Sequence, residues 1–193
     1  MTDWNLTTPC SAFAGFNRIA SGTLEIVAAS VKQHMEVDPT AAILIFDNLQ
    51  AKQIELDLRG TLADVLASIP PSTPEEPHNL SKGPGRPKLG VIAREVTLLP
   101  RHWQWLSEQE GGASVALRKL VDDARRRNES ADNQRHSREA TYRFMHSMAG
   151  DQPDFEEAAR ALFAGDKDLF QRKTSRWPDD LVSYLREISI AAF

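Results

Sequence analysis

The chain has 193 residues, of which 41% are hydrophobic and 26% are charged, and its formal net charge is −4. This is an ordinary globular composition, so it excludes a fibrous or disordered chain. The longest apolar run, residues 41–46, is far shorter than the roughly 20 residues of a membrane helix. The single Cys10 cannot form an intramolecular disulfide, and the N-terminus lacks the pattern of a signal peptide. We therefore expect a cytoplasmic protein without a membrane segment.

The charge is distributed unevenly along the chain. Residues 82–127 hold ten basic and five acidic residues, a net charge of +5. Residues 1–69 hold four basic and eight acidic residues, and residues 150–193 hold six and nine. Positive charge concentrated in one stretch indicates contact with an anionic partner such as nucleic acid. The structural alternative is a solvated surface whose helices are linked by salt bridges.

The first 69 residues predict a small α+β domain with the element order βαββα. The helices follow from apolar residues at helical spacing, and Thr61 with Asp64 has the spacing of a capping box. The second strand is apolar throughout, whereas the third alternates between apolar and polar side chains, as in a half-buried strand. The five elements are expected at residues 13–21, 23–37, 42–46, 53–58 and 61–69.

A proline-rich segment follows this domain. Residues 70–90 contain six of the eleven prolines, and their fixed φ angles favour an extended, solvated linker. The second half of the linker carries the basic sequence GPGRPK. The predicted organisation is therefore a domain at 1–69, a linker at 70–90 and a helical domain at 91–193.

The helical domain is expected to begin with a strand-helix-helix module at residues 91–127. A short strand precedes Pro100, which starts a helix, and Gly111 and Gly112 form a turn before a second helix that ends in three arginines. Beyond it, separate helices are expected around Ala140 to Met148, from Asp151 to Gly165, around Leu169 and Phe170, and from Pro178 onwards. Of Trp103 and Trp105, which point to different sides of one helix, one is expected in the core.

The tripeptide Gly85-Arg86-Pro87 resembles the core of an AT-hook, a short DNA-binding segment. That resemblance implies that Arg86 enters a narrow A·T minor groove, where the negative potential is enhanced. Only Lys82 and Lys88 flank the core, whereas AT-hooks have basic residues close on both sides. The structural alternative is a stiff spacer.

Residues 95–127 resemble a ribbon-helix-helix module, in which strands from two subunits pair and enter the major groove. The resemblance places the base-reading positions on Arg94, Val96 and Leu98, and it places a phosphate at the helix N-terminus near Ser114. Val96 and Leu98 are apolar where that family has polar side chains, which weakens base reading. Because a ribbon requires a dimer, and these apolar residues suit packing within one chain, a monomer is favoured slightly over a dimer.

The wider sequence resembles a bacterial family of unknown function, domain-of-unknown-function family 2239. The resemblance extends over nearly the whole chain and implies a bacterial cytosolic protein, without implying an activity. Its motifs here are FNRIASG, LDLRGT, GRPKLGVIAREVTLLPRHWQWLSEQEGGASVALRKLVDDAR, TYRFMHSMAGD, FEEAARALFAGD and RWPDD.

No constellation of residues predicts catalysis, a bound metal or a cofactor. The five histidines show neither a spacing of four nor a nearby cysteine, which are common patterns of zinc ligands, so surface or core histidines are favoured over a metal site. No Ser, His and Asp residues occur in a strand-turn-helix context. An active site assembled from distant residues is a further alternative, because a single sequence does not reveal such a site.

The leading hypothesis is a non-enzymatic, DNA-associated protein that contacts phosphate through the basic linker and helix, and a regulatory role would fit it. The alternative is a protein-protein interaction or scaffolding module that binds an acidic protein and has no role with nucleic acid. The candidate DNA-binding residues are Lys82, Arg86, Lys88, Arg94, Arg101, Ser114, Arg118, Lys119, Arg125, Arg126 and Arg127.

Overall fold

A computed structural model of the protein describes residues 4–69, 92 and 94–193. These residues form a small antiparallel sheet near the N-terminus and helices that account for most of the C-terminal half. The predicted α+β class is confirmed.

The sheet contains three strands in the described part of the chain, in the spatial order β2-β1-β3. They are β1 (Pro9–Ala14), β2 (Asn17–Thr23) and β3 (Ile43–Asp47). The single strand predicted at residues 13–21 is wrong, because Gly15 has a φ of 56° and reverses the chain between β1 and β2. The N-terminal order is therefore ββαβα instead of βαββα.

Residues 53–58 run back beside β3 without becoming a strand. Gln53 forms one bridge with Phe46, and the Ile54 amide donates to the Ile45 carbonyl at 2.7 Å, after which the ladder stops. The predicted alternation of burial is nevertheless confirmed, since Ile54 is buried while Gln53 and Glu55 are exposed. The alternation of apolar and polar residues therefore predicted which side chains are buried, but it did not predict the hydrogen bonding.

Local sequence signals account for the starts of several helices. The capping box at Thr61 is confirmed, because its amide donates to the Asp64 carboxylate at 2.8 Å and its hydroxyl accepts from the Asp64 amide at 3.3 Å. Pro100 occupies the first turn of its helix, as expected. The helices are α1 (Leu24–Val37), α2 (Leu62–Ser68), α3 (Pro100–Ser107), α4 (Gly112–Met148), α5 (Phe155–Ala164), α6 (Lys167–Thr174) and α7 (Asp179–Ile188).

Helix α4 is one continuous helix of 37 residues. The prediction of two separate helices, one ending at the three arginines and one around Ala140, is wrong. Neither glycine nor proline occurs between residues 113 and 148, so nothing in the backbone interrupts the helix.

The chain divides into two compact units, one formed by Met1–Ser72 together with Ala131–Phe193 and the other by Thr73–Ser130. We call them the core unit and the central unit. Helix α4 contributes its first part to the central unit and its second part to the core unit. This division groups the C-terminal helices with the N-terminal sheet, whereas the sequence placed the boundaries near residues 69 and 90.

The core unit is held together by aromatic side chains from both ends of the chain. The Phe13 ring lies 5.3 Å from the rings of Phe144 and Tyr184, and Phe144 lies 4.5 Å from Tyr184. All three residues are fully buried. A second cluster, between the sheet and α1, includes Leu24 and Val27. Large rings and close packing provide most of the stabilisation in such a core.

The central unit has few buried side chains in its described part. Leu106 and Ala116 are buried there, whereas large apolar residues on the extended segment 94–99 and on α3 and α4 are exposed. Both Trp103 and Trp105 are exposed, so the expectation that one of them lies in a core is wrong. The exposed apolar residues are Ile92, Val96, Leu99, Trp103, Trp105, Leu120 and Val121.

Candidate nucleic-acid interface

The eleven candidate DNA-binding residues all belong to the central unit. Three of them, Lys82, Arg86 and Lys88, lie outside the described residues, and so does the AT-hook core. The other eight are exposed on the segment before α3, on α3 itself and on the first half of α4. These eight are Arg94, Arg101, Ser114, Arg118, Lys119, Arg125, Arg126 and Arg127.

Helix α4 arranges its cations in two rows. Arg118 and Arg125 are seven residues apart, as are Lys119 and Arg126, and seven residues correspond to about two helical turns. Each pair therefore lies on one side of the helix, with its members about 10 Å apart along the axis. Two parallel rows of cations can contact successive phosphates of a nucleic-acid backbone.

The cations of the central unit differ in how they are already bound. Arg126 forms an ion pair with Asp123. Arg118 and Arg127 donate through Nε to the carbonyls of Ser114 and Asp123, at 3.1 and 3.2 Å. Among the described cations of the central unit, four have neither an ion pair nor a side-chain hydrogen bond: Arg94, Arg101, Lys119 and Arg125.

The first turn of α4 offers backbone donors next to these cations. Gly112 donates to the Gln109 carbonyl at 2.9 Å, but the described residues provide no acceptor for the amides of Ala113 and Ser114. The first turn contains no acidic residue, and the positive end of the helix dipole favours an anion there. Ser114 is exposed in this turn.

The extended segment before α3 presents its apolar side chains to solvent. Val96 is 54% exposed and Leu98 is half-buried. The preference for a monomer assumed that both side chains pack within the chain. The structure gives Val96 no such packing position, so this reason for a monomer is weaker than the sequence indicated.

A buried polar network in the core unit was missed by the sequence reasoning. The Asn48 side-chain oxygen accepts hydrogen bonds from the Ser11 and Tyr184 hydroxyls, at 3.0 and 3.1 Å. Burial, and then the nearby Asp47 carboxylate, raise the pKa of Tyr184 and raise that of the Cys10 thiol to about 12. Both groups stay protonated at neutral pH, which favours a structural role over acid-base or nucleophilic chemistry. No local sequence pattern predicts a contact between residues 48 and 184.

Groups of three or more His, Cys, Asp or Glu side chains that would suit a metal ion do not occur in the described part of the chain. In the same residues, no helix has both the length and the apolar character needed to cross a membrane.

Residues 9–189 match the model of a protein family described as "Uncharacterized protein conserved in bacteria (DUF2239)". The chain belongs to this family. The match confirms the resemblance carried by the sequence motifs, and it includes both the central unit and most of the core unit of this DUF2239 protein. Comparisons with curated proteins and with solved structures give no match.

Proposed function

We propose that this DUF2239 protein is a non-enzymatic, DNA-associated protein that contacts phosphate groups through its central unit. The observation that carries the proposal is the set of exposed cations without an acidic partner in the described residues, above all Arg125 and Lys119 on α4. Exposed ion pairs contribute at most about 1 kcal/mol, so even the paired Arg126 can exchange Asp123 for a phosphate.

Binding of this kind is driven by the release of counterions from the nucleic acid. Each neutralised phosphate contributes about 0.9 to the slope of log affinity against log salt concentration. If roughly five cations of the central unit engage, we expect a slope of about −4 to −5. The slope therefore reports how many phosphates the protein neutralises.

Two resemblances refine the proposal. The ribbon-helix-helix resemblance assigns base reading to Arg94, Val96 and Leu98, but the two apolar residues offer no hydrogen bonds to bases. Arg86, on the AT-hook resemblance, would instead add a preference for a narrow A·T minor groove. We therefore propose binding mainly to the backbone, with moderate selectivity for A·T-rich DNA.

The proposal is tested by titrating the full chain against a random duplex and an A·T-rich duplex at rising salt. Replacing Arg118 and Arg125 by Gln should weaken binding to both duplexes and reduce the slope by about two. The matched control replaces Arg160 and Arg176, two exposed arginines of the core unit, and removes the same charge. A control as damaging as the interface variant would show that net charge, not the central unit, governs binding.

A second candidate function, protein-protein interaction without nucleic acid, is supported by the exposed apolar side chains of the central unit. Trp103, Trp105, Leu120 and Val121 are 43%, 49%, 43% and 55% exposed, and exposed large apolar side chains are typical of protein interaction sites. The partner in this case is an acidic protein or a second copy of the chain. DNA contact and protein interaction are compatible if two copies of the chain associate and the cations of the central unit stay accessible to DNA.

A pull-down with and without nuclease separates these candidates. A protein partner retained after nuclease treatment favours the interaction module, whereas partners lost with the nucleic acid favour the first proposal. Sedimentation at micromolar concentration gives the oligomeric state. A dimer that dissociates when Leu98 is replaced by Pro, which removes a backbone N–H from a ladder, identifies a ribbon, and a monomeric mass excludes it.

The proposed DNA contact requires a cytoplasmic location, because a bacterial protein meets chromosomal DNA in the cytoplasm. Fractionation of cells that produce the protein checks this, and recovery in the periplasm would contradict it.

A further inference from the structure

The core unit contains a cleft of about 740 Å³ that lies outside the candidate DNA interface. Its three walls are the turn at residues 48–50, residues 133–143 of α4, and residues 187–191 at the end of α7. We call it the α4–α7 cleft. Its volume lies within the range of roughly 300 to 1,000 Å³ that is typical of ligand sites.

The walls of the cleft are fixed before any ligand arrives. Side-chain hydrogen bonds connect the turn with α4, α4 with the end of α7, and the turn with Tyr184 in the body of α7, and such bonds hold the walls in place without a ligand. The connections are Arg143 to the Gln50 carbonyl, Ser137 to the Ile188 carbonyl at 2.8 Å, and Tyr184 to the Asn48 side chain at 3.1 Å. A preformed cleft loses little free energy to reorganisation on binding.

The polar lining is rich in carboxamides, contributed by Asn48, Gln50 and Asn133. The Asn48 oxygen already accepts from Ser11 and Tyr184, so its amide nitrogen is the group left to bind, and the described residues provide no acceptor for it. Carboxamides carry both donors and acceptors, as peptide groups do. The lining therefore complements an alternating series of N–H and C=O groups.

The charges of the lining do not favour an anionic ligand. Arg18 of the same unit binds Glu187 at 2.9 Å. Glu139 and Arg143 then contribute one charge of each sign. The described residues contribute no Phe, Tyr or Trp ring to the lining on which a nucleobase would stack. A phosphate or a nucleotide is thus a poor match.

Two aliphatic side chains on different walls of the cleft are exposed to solvent. Leu49 is 82% exposed on the turn, and Ile190 is 79% exposed beyond α7. Exposed aliphatic groups beside polar donors are typical of sites that bury an amphipathic ligand. A peptide in extended conformation meets both requirements, because its backbone is polar and its side chains alternate in direction.

We propose that the α4–α7 cleft binds a short, extended segment of another protein. The carboxamides of Asn48, Gln50 and Asn133 bond its backbone, and its aliphatic side chains cover Leu49 and Ile190. Main-chain bonds would supply affinity, and the two aliphatic contacts would supply selectivity. This site is separate from the DNA interface and does not depend on it.

The test is selection of a displayed library of random heptapeptides on the full chain, followed by titration of the selected peptides. We expect peptides with two aliphatic residues in alternating positions. Replacing Leu49 and Ile190 together by Ser should weaken their binding by about tenfold or more, because the peptide loses two apolar contacts. The matched control is Val37→Ser, since Val37 is an aliphatic residue of α1 that is 84% exposed and does not line the cleft.

Three results would overturn the proposal. They are a selection without enrichment, peptides that bind the Leu49→Ser/Ile190→Ser variant as tightly as the wild type, and peptides that the Val37→Ser control weakens equally. All three substituted residues are exposed, so thermal unfolding of each variant should match the wild type. Loss of peptide binding is then a property of the cleft.

Discussion

The two halves of helix α4 differ in the burial of their side chains. In residues 131–148, Ala140, Phe144 and Met145 are buried in the core unit. In residues 112–130, Leu120 and Val121 are 43% and 55% exposed, and most other side chains are also accessible. One half of the helix is therefore packed in a core, whereas the side chains of the other half are accessible to a partner.

This difference shows that an amphipathic stripe does not by itself establish a core. Leu117, Leu120, Val121 and Ala124 have helical spacing like that of Ala140, Phe144 and Met148. In the second set, Phe144 packs against the rings of Phe13 and Tyr184, which come from other parts of the chain. In the first half the stripe and the exposed arginines are both available for interaction.

The largest expected effect is on the stability of the core unit. Phe144→Ala should lower the free energy of unfolding by about 3–5 kcal/mol, because it removes a buried ring and leaves a cavity. Leu120→Ala on the same helix should cost less than about 1 kcal/mol. Urea unfolding of both variants measures the comparison. Equal losses would show that Leu120 lies in a core after all.

A large difference is also expected in thiol reactivity. The pKa of Cys10 is raised to about 12 from an ordinary value of 9.0, mainly by burial, so its thiolate population near pH 8 falls about a thousandfold. Iodoacetamide should therefore label Cys10 far more slowly than a thiol placed on α4 by Ser114→Cys in a Cys10→Ser background. Mass spectrometry gives both rates. Similar rates would mean that the sheet opens readily.

A smaller effect is expected at the buried polar network. Tyr184→Phe removes the hydrogen bond to Asn48 and should cost about 1 kcal/mol. Tyr142→Phe is the matched control, because the described residues give its hydroxyl no hydrogen bond. Chemical unfolding compares them. If the control loses as much stability, the Asn48 bond is not the cause.

The smallest effect concerns the exposed capping box. Hydrogen bonds from the Thr61 side chain and amide lower the pKa of Asp64 below its ordinary value of 3.8. The ionised Asp64 carboxylate therefore stabilises the folded chain at pH values above its pKa in the unfolded chain. This stabilisation is lost as the pH falls through its lower pKa in the folded chain. NMR titration of the Asp64 carboxyl should give a midpoint below 3.8, and Thr61→Val should raise it. An unchanged midpoint would contradict the assigned cause.

Local patterns predicted much of the fold. Helix α1, the capping box and the buried faces of the C-terminal helices follow from periodicity and end signals that lie within a few residues. The β1-β2 turn was missed because Gly15 is only one residue in an otherwise strand-like run. The grouping of Phe13 with Phe144 has no local signal, since those residues are far apart in the chain.

The candidate interface was predictable in part for the same reason. A run of arginines on a helix indicates exposed cations, and the eight described residues are exposed as expected. Arg126 pairs with Asp123, whereas Arg125 has no ion-pair partner among the described residues, and the sequence alone did not reveal this difference. The α4–α7 cleft was not predictable, because its walls come from three distant segments.

The most direct test of DNA contact by the central unit is the salt dependence of duplex binding by the wild type and by two single variants. The wild type should show a log-log slope of about −4 to −5. Arg125→Gln should reduce it by about one, and Arg126→Gln by less, because Asp123 already pairs with Arg126. Absence of binding at low salt, or an affinity that does not change with salt, would contradict the proposed function.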